Sequence, residues 1–305
     1  MIVEMGVCAG IVTYNPDLTR LKLVLKSVRG QFSCIWIVDN GSNNYEEIAT
    51  LIAGCNDVEL VALGNNLGIA AALNVICKKA LDAGYDHVLT LDQDTVIEDG
   101  MADSLESHIG EKVAVVCPRV LYEGNEAFCK SSNDDVEQIA WAITSGSLTS
   151  LEAWKSVGGF DERMFIDGVD KDFCLRLGES GWSVIRVNNV TIHHRLGQLL
   201  CRRVFGKTLY ITNHSAMRCY YRSRNHVYLY RKDVIGLFDM LLYSINLPIK
   251  VLFFEEDKTA KLEAIYQGFR AGFAMDISTR MMNGISPDDT LCDDLSLGEQ
   301  GSFSR

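Results

Sequence analysis

Paired cysteines with metal-type spacing are missing from this sequence. Its ten cysteines include no C-x-x-C pair, and several lie inside apolar runs. This distribution is typical of reduced, buried thiols and argues against a disulfide framework or a zinc site. Residues 1–6 also lack the basic region of a signal peptide, so we expect a cytoplasmic protein.

Excess positive charge is missing as well. The 40 acidic residues outnumber the 29 basic ones, and the net charge is −11 at pH 7. Such a surface repels a phosphate polymer, so no nucleic-acid partner is expected. A small nucleotide is not excluded, because a bound cation can neutralise its phosphates locally. The 305 residues, 48% apolar, are enough for one large domain or for a domain with an appendage.

Two nucleotide-binding signatures are absent after the first predicted strand. A dinucleotide oxidoreductase needs G-x-G-x-x-G at this point, and sugar-phosphate nucleotidyltransferases usually carry a Gly-rich basic loop. The sequence has Thr-Tyr-Asn-Pro at residues 13–16 instead. Both enzyme classes are therefore disfavoured.

Strand-like and helix-like patterns alternate over the first hundred residues, which favours βαβ units and a mainly parallel sheet. Strands are predicted at residues 7–13, 35–38, 58–63, 85–92, 113–117, 140–149 and 183–192. Helices are predicted at residues 18–28, 45–53, 69–83, 151–157 and 170–180. The expected fold class is therefore α/β with a Rossmann-like sheet.

Polar clusters follow the first four predicted strands. They are T-Y-N-P at 13–16, D-N-G-S at 39–42, N-N-L-G at 65–68 and D-Q-D at 92–94. The carboxyl ends of parallel strands lie at one edge of a sheet, so we expect these clusters to meet there and to bind a nucleotide. The base would contact Asp39, and the ribose or diphosphate would contact Asn66 and Asp92. Turn chemistry explains Asp39 or Asn66 alone, and their joint position favours a site. Asp92 and Asp94 offer the hard oxygens that Mg²⁺ or Mn²⁺ prefers.

Acidic residues and histidines form two further candidate groups. Asp167, Asp170 and Asp172 lie at the predicted start of a helix, where capping explains one or two acids but not three. His193 and His194 end a predicted strand, and a histidine beside a carboxylate-rich site is a credible metal ligand.

Short motifs recur in a fixed order between residues 12 and 225. They are V-T-Y-N-P at 12–16, V-D-N-G-S at 38–42, N-L-G-I-A-A-A-L-N at 66–74 and L-D-Q-D at 91–94. Further motifs are S-G-S at 145–147, G-G-F-D-E at 158–162, F-I-D at 165–167, V-D-K-D-F-C-L-R-L at 169–177, H-R-L-G at 194–197 and Y-R-S-R-N at 221–225. The first set resembles family 2 glycosyltransferases with the GT-A fold. The second is similar to the bacterial rhamnosyltransferase branch that builds O-antigens and other surface polysaccharides.

The resemblance implies an inverting, metal-dependent transfer of a sugar from a nucleotide donor. The branch suggests dTDP-L-rhamnose as the donor, an oligosaccharide or lipid-linked saccharide as the acceptor, and Mg²⁺ or Mn²⁺ as the cofactor. Asp170 matches the family's catalytic base, and Asp94 and His194 would bind the metal. The residues that would bind the donor nucleotide are Thr13, Tyr14, Asp39, Asn66, Gly68, Asn74 and Asp92.

Several alternatives remain open at this point. Asp167 or Asp172 could replace Asp170 as the base, and His193 could replace His194 as the metal ligand. The donor could be a UDP-sugar carrying galactofuranose, glucose or N-acetylglucosamine. A further alternative is that the protein binds a nucleotide sugar without catalysing a reaction.

Residues 1–200 are expected to form the GT-A domain, with residues 1–100 binding the nucleotide sugar and residues 101–200 binding the acceptor and supplying catalysis. Residues 201–305 are expected to form a helical subdomain with a loose tail, and a homodimer is one possible assembly. Trp141 and Gly146 are candidates for the border of the acceptor pocket.

Residues 234–254 are apolar but interrupted by polar residues, which favours helices packed on the domain or lying on a membrane surface over a span. Four basic residues nearby would serve the membrane contact: Arg222, Arg224, Arg231 and Lys232.

Overall fold

The protein is described by a computed structural model that covers residues 6–122, 134–194, 200–204, 207–211 and 213–277. Within these ranges, only the backbone is described for Tyr122, His193, His194 and the strands between residues 200 and 211.

One mixed sheet forms the centre of the described chain. Its strands are β1 (Val7–Thr13), β2 (Ile35–Asp39), β3 (Val58–Ala62), β4 (His87–Asp92), β5 (Val113–Tyr122), β6 (Val136–Ile139), β7 (Ser147–Ser150) and β8 (Ser183–His194). They lie in the order β3-β2-β1-β4-β7-β5-β8-β6. The four strands from β3 to β4 are parallel, β7 is antiparallel to β4 and β5, β8 is parallel to β5, and β6 is antiparallel to β8. The mainly parallel α/β sheet predicted from the sequence is confirmed.

Helices cover both faces of this sheet. They are α1 (Leu18–Val28), α2 (Tyr45–Ile52), α3 (Ile69–Asp82), α4 (Met101–Glu106), α5 (Leu151–Ser156) and α6 (Val169–Glu179). Alternate residues of each strand point to opposite faces, so Ile11 packs in the cluster with α1, α2 and α4, whereas Val12 packs in the cluster with α3, α5 and α6. Gly10 lets α3 approach the sheet, since a Cβ there would lie 2.2 Å from Ile76 Cγ2.

Two predicted boundaries in the second half are wrong. The strand predicted to stop before Pro118 continues to Tyr122, with a register shift between Pro118 and Arg119. A shift of this kind accommodates the missing N–H of proline. Of the strand predicted at residues 140–149, only residues 147–149 form a strand, in β7, whereas residues 140–146 connect β6 to β7, with Gly146 at φ 79°.

The C-terminal region is helical, as expected, and also contains a hairpin. An antiparallel pair, β9 (Leu200–Val204) and β10 (Lys207–Ile211), precedes α7 (Ala216–Arg231), α8 (Leu237–Phe254) and α9 (Lys258–Ala274). Two glycines of α9 allow close contact with α7, because a Cβ at Gly268 would lie 2.4 Å from the carbonyl oxygen of Tyr220. The division into domains at residue 200 stays a prediction.

Candidate active site

The loops after β1 and β2 are joined by the buried carboxylate of Asp39. It accepts hydrogen bonds from Thr13 Oγ1 at 3.0 Å, from the backbone N–H groups of Gly41 and Ser42, and from Ser42 Oγ. Each carboxylate oxygen therefore accepts two bonds from the protein. In this structure Asp39 joins the two loops. For Asp39 to bind a nucleotide base, one of its four hydrogen bonds must be replaced by a bond to the base. The bond from the Ser42 hydroxyl is the easiest to replace, because that hydroxyl can rotate.

The loop after β3 lies directly against the loop after β2. Asn40 Nδ2 donates to Asn66 Oδ1 at 3.0 Å, and Asn40 Oδ1 accepts from Leu67 N at 2.9 Å. Gly41, at φ 83°, permits this approach, because a Cβ there would lie 2.6 Å from the backbone of Asn65. Asn66 also accepts from the N–H of Gly68, the residue before α3. The structure thus brings these clusters together at one sheet edge.

The turn after β4 is fastened to the loop and helix that follow β1. Gln93 Oε1 accepts from the backbone N–H of Tyr14 at 2.8 Å. Arg20 of α1 donates from Nε to the carbonyl oxygen of Asp94 at 2.7 Å. Tyr14 is 46% exposed, so its ring is available to a ligand.

The other side of the same turn is fastened to the residues before β7. Ser145 Oγ accepts from the backbone N–H of Asp92 at 3.0 Å and donates to the buried Thr95 Oγ1 at 2.8 Å. The backbone of Asp92 is therefore held in place from the second half of the chain. The sequence offers a signal for this only through the S-G-S motif at residues 145–147.

Asp170, in the first turn of α6, faces Asp92 across the site. Burial, and next the negative charge of Asp92, raise the pKa of Asp170 to about 7, while hydrogen bonds from the side chain and backbone of Thr144 act in the opposite direction. A general base works best when its pKa lies near the operating pH. The raised pKa is compatible with a general base, and Thr144, which the sequence analysis did not identify, stabilises the ionised form of Asp170.

The two other acids considered for the base are engaged in ion pairs. The Asp172 side chain is fully buried and bonds both Arg176, at 2.8 Å, and Lys232. Asp167 bonds Arg218 at 3.0 Å. Of the three acids, Asp170 alone has no ion-pair partner among the described residues, which favours its assignment as the base.

The loop before Asp170 is held by α7. Phe165 and Asp167 adopt left-handed backbone conformations, at φ 60° and 64°. The side-chain amide of Asn225, itself 1% exposed, donates to the carbonyl oxygens of Met164, Ile166 and Asp167 at 2.7 to 2.8 Å. These bonds stabilise a conformation that is otherwise unfavourable. The sequence analysis gave Asn225 no role, although the Y-R-S-R-N motif contains it.

Asn74 has a structural role, which corrects its expected place in the nucleotide pocket. Its Oδ1 accepts from Trp154 Nε1 at 3.0 Å and from Phe160 N at 2.9 Å. Its Nδ2 donates to the carbonyl oxygen of Phe160 at 2.9 Å and to Glu162 Oε1 at 2.7 Å. All four hydrogen-bonding positions of the amide are used inside the protein, which leaves none for a ligand.

The metal ligands proposed from the sequence are only partly described. His194 ends β8 opposite Tyr122, but its side chain, like that of His193, lies outside the described part of the chain. The described residues contain no group of three or more His, Cys, Asp or Glu side chains arranged to hold a metal. The carboxylates of Asp92 and Asp170 still offer two neighbouring oxygen donors of the kind that a hard divalent cation prefers.

A cleft of about 370 Å³ lies beside the site. Its polar and aromatic lining consists of Arg119, Glu137, Trp141, Ser145, Ser147 and Arg186. Trp141 is 46% exposed. Gly146 is not one of the lining residues, although its neighbours Ser145 and Ser147 are. Ser145 lines the cleft while its neighbour Thr144 contacts Asp170, so the cleft adjoins the proposed base.

Solved structures with a similar fold define the class of protein. The structure of GalNAc-T7 with UDP, GalNAc and Mn²⁺ matches with a TM-score of 0.58 and 13% identity, over 90% of this chain and 57% of that one. Staphylococcus aureus TarS 1–349 in complex with UDP-GlcNAc matches with a TM-score of 0.54 and 14% identity, over 88% of this chain and 81% of that one. This chain thus spans little more than half the length of the GalNAc-T7 chain. The fold is that of a GT-A glycosyltransferase.

The chain belongs to glycosyl transferase family 2, whose family model matches residues 8–167. It is 28% identical over 248 residues to the dTDP-rhamnosyl transferase RfbF of Shigella flexneri, which covers 76% of this chain and 82% of RfbF. An uncharacterized protein of Mycobacterium bovis is 27% identical over 143 residues, 43% of this chain and 55% of that protein. The protein is a glycosyltransferase, and its resemblance to the rhamnosyltransferase branch is confirmed.

Proposed function

We propose that this glycosyltransferase moves L-rhamnose from dTDP-L-rhamnose to a saccharide acceptor, with inversion at the anomeric carbon, during synthesis of a surface polysaccharide. The observation that supports catalysis best is the position of Asp170, a carboxyl group with a pKa raised to about 7 that faces Asp92 at the carboxyl edge of the sheet. The choice of donor rests on the similarity to RfbF.

The reaction we propose is a single displacement. The acceptor hydroxyl gives its proton to the ionised carboxylate of Asp170 as its oxygen attacks the anomeric carbon of the donor sugar. The bond between that carbon and the diphosphate oxygen breaks, and dTDP leaves from the opposite face. A bound divalent cation would offset the charge on the departing diphosphate. We assign Asp94 and His194 to hold it, as the family likeness suggests.

The donor nucleotide would lie across the loops that follow β1 to β4. We assign Thr13, Tyr14, Asp39, Asn66 and Gly68 to the nucleoside side and Asp92 to the ribose or the cation. The shared hydrogen bonds of these loops support this assignment, since they make one preformed surface at the sheet edge. Asn74 is left out because its amide is fully used within the protein.

We place the acceptor in the cleft beside Asp170. The exposed Trp141 ring offers a face on which a sugar can stack, and the Arg186–Glu137 pair, with an Nη2–Oε2 distance of 2.6 Å, offers hydrogen-bonding groups. We further propose that the enzyme works in the cytoplasm. Seven cysteines in the described ranges are unpaired, which suits a reducing compartment.

Calorimetric titration with dTDP, UDP and GDP, each with and without Mn²⁺, tests the proposal first. We expect binding that needs Mn²⁺ and favours dTDP, followed by release of dTDP from dTDP-L-rhamnose when a saccharide acceptor is supplied. Preference for UDP would keep the mechanism but replace the donor with a UDP-sugar. Binding without turnover, unchanged in Asp170→Asn, would point to a non-catalytic nucleotide-sugar binding protein.

A further inference from the structure

Helix α8 presents a wide apolar surface to solvent. Eight of its side chains are 45% to 75% exposed: Leu237, Phe238, Leu241, Leu242, Ile245, Ile249, Leu252 and Phe253. At 3.6 residues per turn they cover an arc of about 160°, along a helix about 27 Å long. None of the eight is polar. We call these residues the α8 apolar face.

The opposite side of α8 is packed on the protein. Leu247 and Val251 are buried in a cluster with Cys219 of α7 and Ile265 of α9. Although α8 has 18 residues and a mean hydropathy of 1.5, only part of its circumference is free. A helix packed in this way presents only its free side to lipid, which favours a position on the membrane surface over a span.

The four basic residues that the sequence analysis assigned to a membrane contact all make contacts within the protein. Lys232 bonds Asp161 and Asp172 and is 8% exposed, and Arg231 donates to the carbonyl oxygens of Gly272 and Met275.

The two remaining cations are also engaged. Arg224 donates to the carbonyl oxygens of Arg163 and Met164, and Arg222 lies over the ring of Tyr243. These four cations therefore contribute little attraction to anionic lipid, and the net charge of the whole protein is −11.

We propose that the α8 apolar face seats this enzyme on a lipid bilayer, with the helix axis parallel to the membrane surface. The bilayer fits the face better than a second copy of the chain. The arc of about 160° is wider than the a/d seam through which one helix packs along another. Specific protein interfaces also carry roughly one hydrogen bond per 100–200 Å², and none of these eight side chains can form one.

This inference deepens the proposed function, since docking through α8 places the active site at the surface where a lipid-linked acceptor is presented. Because the contact is apolar, we expect membrane binding to depend little on salt concentration. Binding should be similar on zwitterionic and anionic vesicles and should persist when ionic strength screens charges.

Flotation of the full chain with phosphatidylcholine vesicles, and with vesicles that also contain phosphatidylglycerol, tests this at low and high salt. We expect the protein to float with both at either salt concentration. The double variant Leu241→Asp, Ile245→Asp should partition at least about tenfold more weakly, since two large apolar side chains no longer enter the acyl region. The matched control is Leu23→Asp on α1, whose leucine is 48% exposed, as is Leu241, and which should float like the parent.

Parallel measurements separate the other outcomes. Thermal unfolding and dTDP binding establish that each variant is folded, and they also report any failure of the proposed function independently of flotation. A parent protein that does not float, or α8 variants that float as well as the parent, would overturn the inference. If the parent does not float, and sedimentation shows a dimer that the α8 substitutions dissociate, the α8 apolar face would be assigned to a contact with a second copy of the chain.

Discussion

The side-chain amide of Asn225 donates a 2.7 Å hydrogen bond to the carbonyl oxygen of Ile166, four residues before the proposed base Asp170. The same amide also bonds the carbonyl oxygens of Met164 and Asp167. A buried residue of the C-terminal helices thus determines the conformation of the loop that delivers Asp170. The helical region therefore contacts the loop that carries the proposed base directly.

Asn225→Ala should lower stability and catalysis together while sparing the donor nucleotide. The loss of a buried amide that serves three carbonyl oxygens should cost about 2 kcal/mol of the free energy of unfolding. The turnover number should fall because the loop before Asp170 loses its support, whereas dTDP affinity should stay near the parent value. Denaturant unfolding, kinetics and calorimetry measure the three quantities.

The matched control for Asn225 lies two residues earlier on the same helix. Ser223 is fully buried, and its hydroxyl has no hydrogen-bond partner among the described residues. Ser223→Ala should therefore leave stability unchanged or raise it slightly. Equal losses in the two variants would show that any change in α7 disturbs the site.

Asp170→Asn and Asp172→Asn should behave in opposite ways. Asp170→Asn should lose turnover by at least about a hundredfold, the usual contribution of a general base, with dTDP binding retained. Asp172→Asn should cost about 3 kcal/mol of stability, because Arg176 and Lys232 lose a buried carboxylate, yet folded protein should keep most of its turnover. Turnover lost only in the Asp172 variant would reverse the assignment of the base.

The pKa of Asp170 also predicts how stability depends on pH. A raised pKa means that the folded state favours the protonated form, so its contribution to stability is complete below pH 3.8 and is lost as the pH rises through about 7. Asparagine resembles the protonated form and does not ionise. Asp170→Asn should therefore unfold at a higher temperature than the parent above pH 7, and the difference should vanish in acid.

The pH dependence of catalysis should follow the ionisation of Asp170. The ionised form is required, so kcat/KM should rise with pH, reach half its maximum near pH 7 and then level off. Thr144→Val removes a hydrogen bond to the ionised carboxylate and should move the midpoint to higher pH. A midpoint that does not move would show that Thr144 plays only a structural part.

Asp94→Asn should weaken binding of the donor diphosphate and leave binding of the nucleoside unchanged. If Asp94 holds a divalent cation against the donor diphosphate, dTDP affinity in Mn²⁺ should fall at least about tenfold, while thymidine affinity stays the same. Asp99→Asn, an exposed acid in the segment after β4, is the control and should match the parent. Removal of Mn²⁺ by a chelator should weaken dTDP binding to the parent and change little in Asp94→Asn.

Much of the fold and the donor edge could be predicted because the signals are local. Short continuous apolar runs predicted β1, β2 and β4, and the polar residues that end them had to meet once the strands were parallel. Asp39, Asn66 and the D-Q-D turn therefore lie where the sequence placed them. Chain continuity and strand direction are sufficient to predict that these residues lie at one edge of the sheet.

Other parts of the site could not be predicted because they depend on contacts between distant segments. No local pattern reveals that Thr144 bonds Asp170 or that Ser145 holds Asp92. Asn74 was predicted to bind the nucleotide because it ends a motif, whereas its amide forms hydrogen bonds with the turn before α6. Composition likewise suggested a basic docking patch near α8, but packing directs the side chains of Arg231 and Lys232 inward.

The sequence by itself determined the parallel half of the sheet, from β1 to β4, its carboxyl edge and the order of the acidic groups, since these follow from apolar runs and strand direction. Only the tertiary structure showed which of these acids are held in ion pairs. Asp170 and Asp172 lie in the same turn of α6, yet Asp170 adjoins Asp92 and has no ion-pair partner in the described part of the chain, whereas Asp172 is buried between Arg176 and Lys232. The two carboxylates differ because ionisation depends on burial and on neighbouring charges, and these are supplied by segments far away in the chain.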